Sequence, residues 1–143
     1  MPINAYLNFD GNTREVANFY AQVFETEPPH FMTYGEMGED PEHPFPPGVA
    51  DRIMHTMIMI DGAPLMFSDT YPGMELTFGN NINLTITGAD RAKMERQFNA
   101  LAEEGTINMP LQETSWSKMY GGLRDKFGIE WQFSLDEMPD PKS

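Results

Sequence analysis

The chain has 143 residues, with nine lysines and arginines against 22 aspartates and glutamates, which gives a formal net charge of −13. This length suits a single domain, and the 40% of hydrophobic residues argues against disorder. A surface this acidic disfavours nucleic acids and anionic membranes as partners, and the lack of cysteine excludes disulfides, thiol nucleophiles and zinc-thiolate sites.

The hydrophobic pattern of the first residues predicts a strand followed by a helix. Strict alternation of apolar and polar residues predicts the strand over 4–10. Apolar residues at helical spacing over 16–24 predict the helix, and Asn12 with Glu15 has the pattern of a capping box. The start of the chain has no basic stretch before an apolar run, so we expect a cytoplasmic protein.

A hairpin is predicted after a long irregular segment. A weak strand pattern over 28–36 leads into 36–51, a region rich in proline, glycine and acidic residues. We expect this region to be a long mobile loop that can act as a lid. The apolar segments 53–60 and 63–68 flank Asp61-Gly62, a dipeptide typical of hairpin turns.

The second half of the chain has the same kind of pattern as the first. Alternation predicts a strand over 81–87, and helical spacing predicts a helix over 90–104 that Gly105 ends. Three more strands are predicted, over 106–112, 117–123 and 129–135.

The two halves align with each other. A shift of 77 residues places Asn4, Tyr6 and Asn8 on Asn81, Asn83 and Thr85, and a shift of 78 aligns the helices. The alignment predicts an α+β fold with two βαβββ modules in a single domain over 1–143. Their predicted ranges are about 2–70 and 80–137 with a linker over 71–79 and a tail over 138–143.

The polar strand faces define a candidate binding site. Each helix is expected to cover the apolar face of its sheet, so the polar faces are left to line a common cleft. Gln132 is placed in this cleft by the alternation of the last strand. The alternative is that these polar side chains only face solvent, as one side of an antiparallel sheet often does.

Segments spread over most of the chain resemble the PhnB-like branch of the vicinal-oxygen-chelate (glyoxalase/bleomycin-resistance/dioxygenase) superfamily. The resemblance covers residues 3–136. It rests on FDGNTREVANFYAQVF at 9–24, MHTMIMIDG at 54–62, LMFSD at 65–69 and WSKMYGGLRDKFGIEW at 116–131. It implies that the two modules form a cup-shaped mixed sheet or barrel and that the chain is a homodimer. Some relatives carry a demethylubiquinone methyltransferase label, but the sequence has no glycine-rich loop typical of a nucleotide-derived cofactor.

The resemblance also implies where a metal would bind. The superfamily's ligand positions match Asn4, Asn81, Gln132 and Met66 or its neighbour Phe67. Amides, a thioether and a phenyl ring hold divalent cations poorly in comparison with imidazole and carboxylate. We therefore predict no metal and no other cofactor, with a divalent metal as the alternative.

His55 is the candidate catalytic residue. It lies on a predicted strand together with Ile53, Met57 and Met59. The alternative is a histidine of the core or cleft edge with a satisfied hydrogen bond. His30 and His43 are weaker candidates, and neither has a metal-ligand spacing to His55.

Three functions are compatible with these patterns. The first is a metal-free protein that binds a small, partly apolar molecule. The second is a metal-dependent isomerase, lyase or dioxygenase that uses His55 and a carboxylate such as Glu130. The third is a dimeric scaffold without a ligand. Met57, Met59 and Met66 could line an adaptable pocket wall, although such residues are more often core or interface. The predicted ligand-binding residues are Tyr6, Asn8, His55, Asn81, Asn83, Trp116, Tyr120 and Gln132.

Overall fold

Each half of the chain folds into a four-stranded sheet with one helix. The computed structural model describes residues 2–136. The first half contains β1 (Ala5–Phe9), α1 (Thr13–Val23), β2 (Met32–Thr33), a 3-10 turn (Gly35–Met37), β3 (Ile53–Ile60) and β4 (Ala63–Asp69). The second half contains β5 (Leu84–Gly88), α2 (Arg91–Ala102), β6 (Thr106–Gln112), β7 (Tyr120–Arg124) and β8 (Glu130–Leu135).

The two sheets have the same topology. Their strand orders are β1-β4-β3-β2 and β5-β8-β7-β6, with the first pair of each sheet parallel and the other pairs antiparallel. This confirms the predicted α+β class and the two βαβββ modules. The chain forms two compact units, of which the first extends to Thr77 and the second starts at Phe78. The predicted tail over 138–143 lies outside the described residues.

Each helix covers the apolar face of its own sheet, as predicted. In the first unit the rings of Tyr20 on α1 and Phe67 on β4 have centroids 5.8 Å apart. In the second unit Phe98 on α2 and Phe133 on β8 are 5.5 Å apart and edge to face. All four rings are buried, so matching aromatic pairs form the two cores. In residues 2–136 no helix is both long and apolar enough to cross a bilayer.

The spacing between corresponding elements of the two modules differs from element to element. β1 starts at Ala5 and β5 at Leu84, which are 79 residues apart, whereas the helices start 78 residues apart, at Thr13 and Arg91. The predicted shift of 77 for the first strands has the same parity as the spacing of the strand starts. Because side chains alternate with a period of two, both spacings give the same faces.

Three predicted strands are shorter than expected because their backbone lacks a pairing partner. The strand predicted over 81–87 begins only at Leu84, since its parallel neighbour β8 begins at Glu130. The strand predicted over 117–123 begins at Tyr120, because Ser117 closes a turn with Thr114. The weak strand over 28–36 is reduced to the two residues of β2.

The predicted capping box at the start of α1 is wrong. Asn12 occupies the N-cap position, but its side chain makes no capping hydrogen bond. The buried Asp69 at the end of β4 acts instead: its Oδ1 accepts from the backbone N–H of Gly11 at 2.9 Å and of Thr13 at 3.0 Å. Its Oδ2 accepts from the N–H of Ile53 at 2.9 Å, so one carboxylate links β4, α1 and β3.

The second helix begins as predicted but ends differently. The Asp90 side chain accepts from the Lys93 N–H at 3.1 Å, which caps the helix start. The helix ends at Ala102, and Glu104 rather than Gly105 takes the left-handed conformation, with φ of 59°. Gly105 is needed for another reason, because a Cβ there would collide with the Arg124 carbonyl.

The predicted hairpin is confirmed. β3 and β4 are joined by Asp61 and Gly62, whose φ angles are 49° and 84°. Two successive positive φ values are typical of the tight hairpin turn that matches strand twist.

Candidate functional site

One group of predicted site residues lies on the open face of the first sheet, the face away from α1. The Tyr6 hydroxyl is 3.3 Å from Nδ1 of His55, to which it can donate. The Ser68 hydroxyl donates to Oδ1 of Asn8 at 3.0 Å. The sheet therefore brings Tyr6, Asn8 and His55 onto one polar surface.

Methionines extend this surface on β3 and β4. Met57 and Met59 are 41% and 48% exposed, and Met66 pairs with both Tyr6 and Met57 across the sheet. Phe67, its neighbour, is fully buried. Met66 is therefore the residue of β4 that faces the open side, together with the methionines of β3.

The other two histidines make different contacts from His55. His43 is exposed, and its Nδ1 lies 3.2 Å from a carboxylate oxygen of Asp40. Hydrogen bonds from the Glu42 backbone and from His43 lower the pKa of Asp40 below its ordinary value. His30 is exposed, and its carbonyl accepts from the Thr56 hydroxyl at 2.9 Å. The role of 36–51 as a lid stays a prediction.

A second group of predicted residues lines a pocket on the open face of the second sheet, with a volume of 540 Å³. We call it the second-sheet pocket. Its lining residues are Asn80, Asn83, Thr106, Asn108, Met109, Tyr120, Gly122, Arg124, Glu130 and Gln132.

Three of the five predicted ligand-binding residues of the second unit line this pocket. Gln132 on β8 pairs with Thr85 on one side and Gly122 on the other, which places it in the middle of the sheet. Asn83 and Tyr120 stand with it in the lining. Asn81 is exposed and is not a lining residue, although Asn80 and Asn83 on either side of it in the chain are.

Trp116 lies beside the second-sheet pocket rather than in it. Its ring is 5.3 Å from that of Tyr120, edge to face, and 67% of the residue is exposed. It lines a separate concavity of 610 Å³ in the loop before β7. The contact between these two rings thus lies between the second-sheet pocket, which Tyr120 lines, and the loop concavity, which Trp116 lines.

A charged cluster on the pocket wall was only partly foreseen from the sequence. The sequence patterns indicate Glu130 as a candidate carboxylate for chemistry, but they do not single out Arg124 or Asn108. The Arg124 Nε donates to Glu130 Oε1 at 2.8 Å, and the Asn108 amide donates to Oε2 at 3.1 Å. Alternation along β7 could have identified Arg124, because it lies four residues after Tyr120 and its side chain is therefore on the same face of the strand.

Asp125 holds the start of β8 in place. Its Oδ1 accepts from the backbone N–H of Phe127 at 2.9 Å and of Ile129 at 3.1 Å. Its Oδ2 accepts from the indole N–H of Trp131 at 2.8 Å. With Gly128 at φ of 92°, these bonds form the turn before β8 and fix the register of the strand that carries Gln132.

The residues at the superfamily's metal positions do not suit a divalent cation. Met66 on β4 and Gln132 on β8 face the open sides of their sheets, and Asn4 and Asn81 precede the first strand of each module. These groups are neutral amides and a thioether, which offset ion dehydration poorly. Within residues 2–136, no group of three or more histidine, aspartate or glutamate side chains is arranged to hold a metal ion.

Known proteins share this architecture and sequence. A protein from Pseudomonas aeruginosa, PA1353, is 32% identical, covers 96% of this chain and 99% of its own, and has a TM-score of 0.81. A PhnB protein from Bacillus cereus is 29% identical, covers 95% of this chain and 100% of its own, and has a TM-score of 0.75.

A more distant structure shares the fold alone. A glyoxylase/bleomycin resistance protein/dioxygenase domain from Frankia is 10% identical, with a TM-score of 0.65 over 96% of this chain and 98% of its own. The family model described as 3-demethylubiquinone-9 3-methyltransferase matches residues 2–134. The chain therefore belongs to the family that this model describes, and it is similar to a PhnB protein.

Proposed function

We propose that the chain binds a small, partly apolar molecule in the second-sheet pocket and does so without a divalent metal. The observation that carries the proposal is the lining of one pocket by four amides, from Asn80, Asn83, Asn108 and Gln132, beside Tyr120 and Met109. The pocket volume of 540 Å³ falls in the range of about 300 to 1,000 Å³ that is usual for small-molecule sites.

The lining combines two kinds of contact. Each amide offers both a donor and an acceptor, so Asn83 and Gln132 can orient polar groups of a ligand without a net charge. Tyr120 presents an aromatic ring and Met109 a flexible thioether, both suited to a flat apolar surface. Asp125 and the β8 pairing hold Gln132 in a fixed register, which favours a preformed site.

The methyltransferase activity named in the family description has no support in this chain's own residues. A nucleotide-derived methyl donor is usually held by a glycine-rich turn between a strand and a helix. The turn between β1 and α1 contains a single glycine, Gly11. This residue packs beside the Arg52 guanidinium, and its N–H donates to the Asp69 carboxylate. The turn between β5 and α2 contains Ala89 and the helix cap Asp90.

A fragment screen tests the proposal. Uniformly ¹⁵N-labelled protein is titrated with small planar compounds, neutral and charged, in buffer with EDTA, and amide shifts are followed by NMR. We expect some fragments to shift the backbone signals of Asn83, Tyr120 and Gln132. Zinc, nickel or manganese, supplied in a buffer without EDTA, should not tighten this binding.

Matched variants locate the site. Tyr120→Ala should weaken binding of the best fragment about tenfold, because it removes an aromatic contact of the pocket. Tyr71→Ala makes the same change in the first unit and should leave binding unchanged. The proposal is wrong if no fragment shifts the pocket signals, or if binding appears only after a metal is added.

A further inference from the structure

We infer that the molecule bound in the second-sheet pocket carries a carboxylate group and that Arg124 anchors it. The inference rests on the proposed function, since it names the chemical class of the ligand. Among the lining residues that the structure describes, Arg124 is the only one with a cationic side chain. A guanidinium at this position gives an anionic group of a ligand a defined place on the wall.

Glu130 orients the Arg124 side chain. The Glu130 side chain is only 7% exposed, and its Oε1 accepts from the Arg124 Nε at 2.8 Å. Its other oxygen accepts from the Asn108 amide at 3.1 Å, so both carboxylate oxygens have protein partners. Because Glu130 is held at both oxygens, it fixes the edge of the guanidinium that it contacts.

The remaining edge of the guanidinium is available to a ligand. Neither Nη1 nor Nη2 of Arg124 has a hydrogen-bond partner among residues 2–136, and the side chain is 47% exposed. Two nitrogens in one plane match the two oxygens of a carboxylate, so that two parallel hydrogen bonds can form. The shape of the free edge therefore favours a planar carboxylate.

The rest of the ligand follows from the pocket and the charge of the chain. Met109 and Tyr120 lie in the same lining and offer contacts to a flat apolar body. The net charge of −13 repels anions at long range, so each further negative charge on a ligand opposes binding. The ligand class is a small monocarboxylic acid with a flat apolar body.

Benzoate and benzamide form the probe pair, because they match in size and shape and only benzoate is charged. Each is titrated into ¹⁵N-labelled full-length protein, and Kd is obtained from the shifts of pocket residues. We expect benzoate to bind at least about tenfold more tightly than benzamide, since hydrogen bonds between charged groups are the stronger ones. Arg124→Gln should remove this difference.

Two further variants distinguish the planar shape of the guanidinium from its positive charge and control for a general effect of charge loss. Arg124→Lys keeps the positive charge but loses the planar pair of donors, so it should recover only part of the preference for benzoate. Arg91→Gln makes the same charge change at an exposed position outside the pocket and should leave both Kd values unchanged. Circular dichroism confirms that each variant is folded.

Specific results would overturn the inference. It is wrong if benzamide binds the pocket as tightly as benzoate, in which case the proposed binding function stands. It is also wrong if Arg124→Gln binds benzoate with unchanged affinity, or if benzoate shifts no pocket signal. The fragment screen decides the proposed function separately, because that screen includes neutral compounds.

Discussion

At the scale of single residues, two buried aspartates determine where the chain can turn. Asp69 accepts three backbone N–H groups from the loop before α1 and from β3, and Asp125 accepts two backbone N–H groups and the Trp131 indole. Each carboxylate satisfies several buried or part-buried backbone donors. These residues build the scaffold that carries the open sheet faces.

Asp69→Asn should destabilise the protein. The amide nitrogen of asparagine cannot accept a hydrogen bond, so one of the N–H groups of Gly11, Thr13 or Ile53 is left without its acceptor. We expect the free energy of unfolding to fall by about 2 kcal/mol, measured by urea denaturation. Asp51→Asn, at an exposed position, is the control. Equal stability of the two variants would show that Asp69 does not have this role.

Individual side chains were harder to predict than their faces. Alternation placed Gln132 and Glu130 on the polar face of the last strand, and both line the second-sheet pocket. The Arg124 to Glu130 pair depends on the antiparallel register of β7 and β8, which pairs these two positions. A single strand's pattern contains no information about the register of its neighbour. The role of Asp69 was not predicted for the same reason, because the N–H groups that it accepts belong to other elements.

At the scale of elements, both helices have a short polar residue at the N-cap position, but their capping hydrogen bonds differ. Asp90 caps α2 with its own side chain, whereas Asn12 makes no such bond and Asp69 supplies the acceptor for α1. The local pattern around Asn12 resembles a capping box in sequence. A tertiary contact from β4 overrides it, because a buried carboxylate is the stronger acceptor.

Alanine substitution at the two cap positions should therefore give unequal effects. Asp90→Ala should lower the free energy of unfolding by about 1 kcal/mol, as loss of a side-chain cap usually does. Asn12→Ala should change it by less than about 0.5 kcal/mol, because no capping bond is lost. Chemical denaturation of both variants measures the two effects. A larger loss for Asn12→Ala would contradict the assignment of the cap to Asp69.

At the scale of the whole molecule, duplication made the fold predictable from sequence. Alternation and helical spacing gave the order of elements in each half, and the hairpin dipeptide Asp61-Gly62 gave the connection between β3 and β4. The prediction failed at strand ends, where pairing decides the boundary, as at Leu84 opposite Trp131. Whether a metal or ligand binds depends on which side chains meet in space, and sequence periodicity does not reveal that.

The high net charge should make stability depend on salt. Because the acidic groups outnumber the basic ones by 13, they repel one another in the folded state. Raising the NaCl concentration from about 0.01 M to about 0.15 M shortens the screening length and should raise the Tm by a few degrees. Scanning calorimetry measures this, with KCl as a control that should act alike. A Tm that falls with salt would show that attractive charge pairs dominate.

The central claim is that the second-sheet pocket binds a small molecule through its own side chains. A crystal structure of the chain with its tightest-binding fragment, with anomalous data from crystals grown with zinc or manganese, tests it most directly. We predict that the fragment contacts Tyr120 and Gln132 and that no anomalous peak lies at that pocket. A cation coordinated by Gln132, or a fragment bound only elsewhere on the chain, would contradict it.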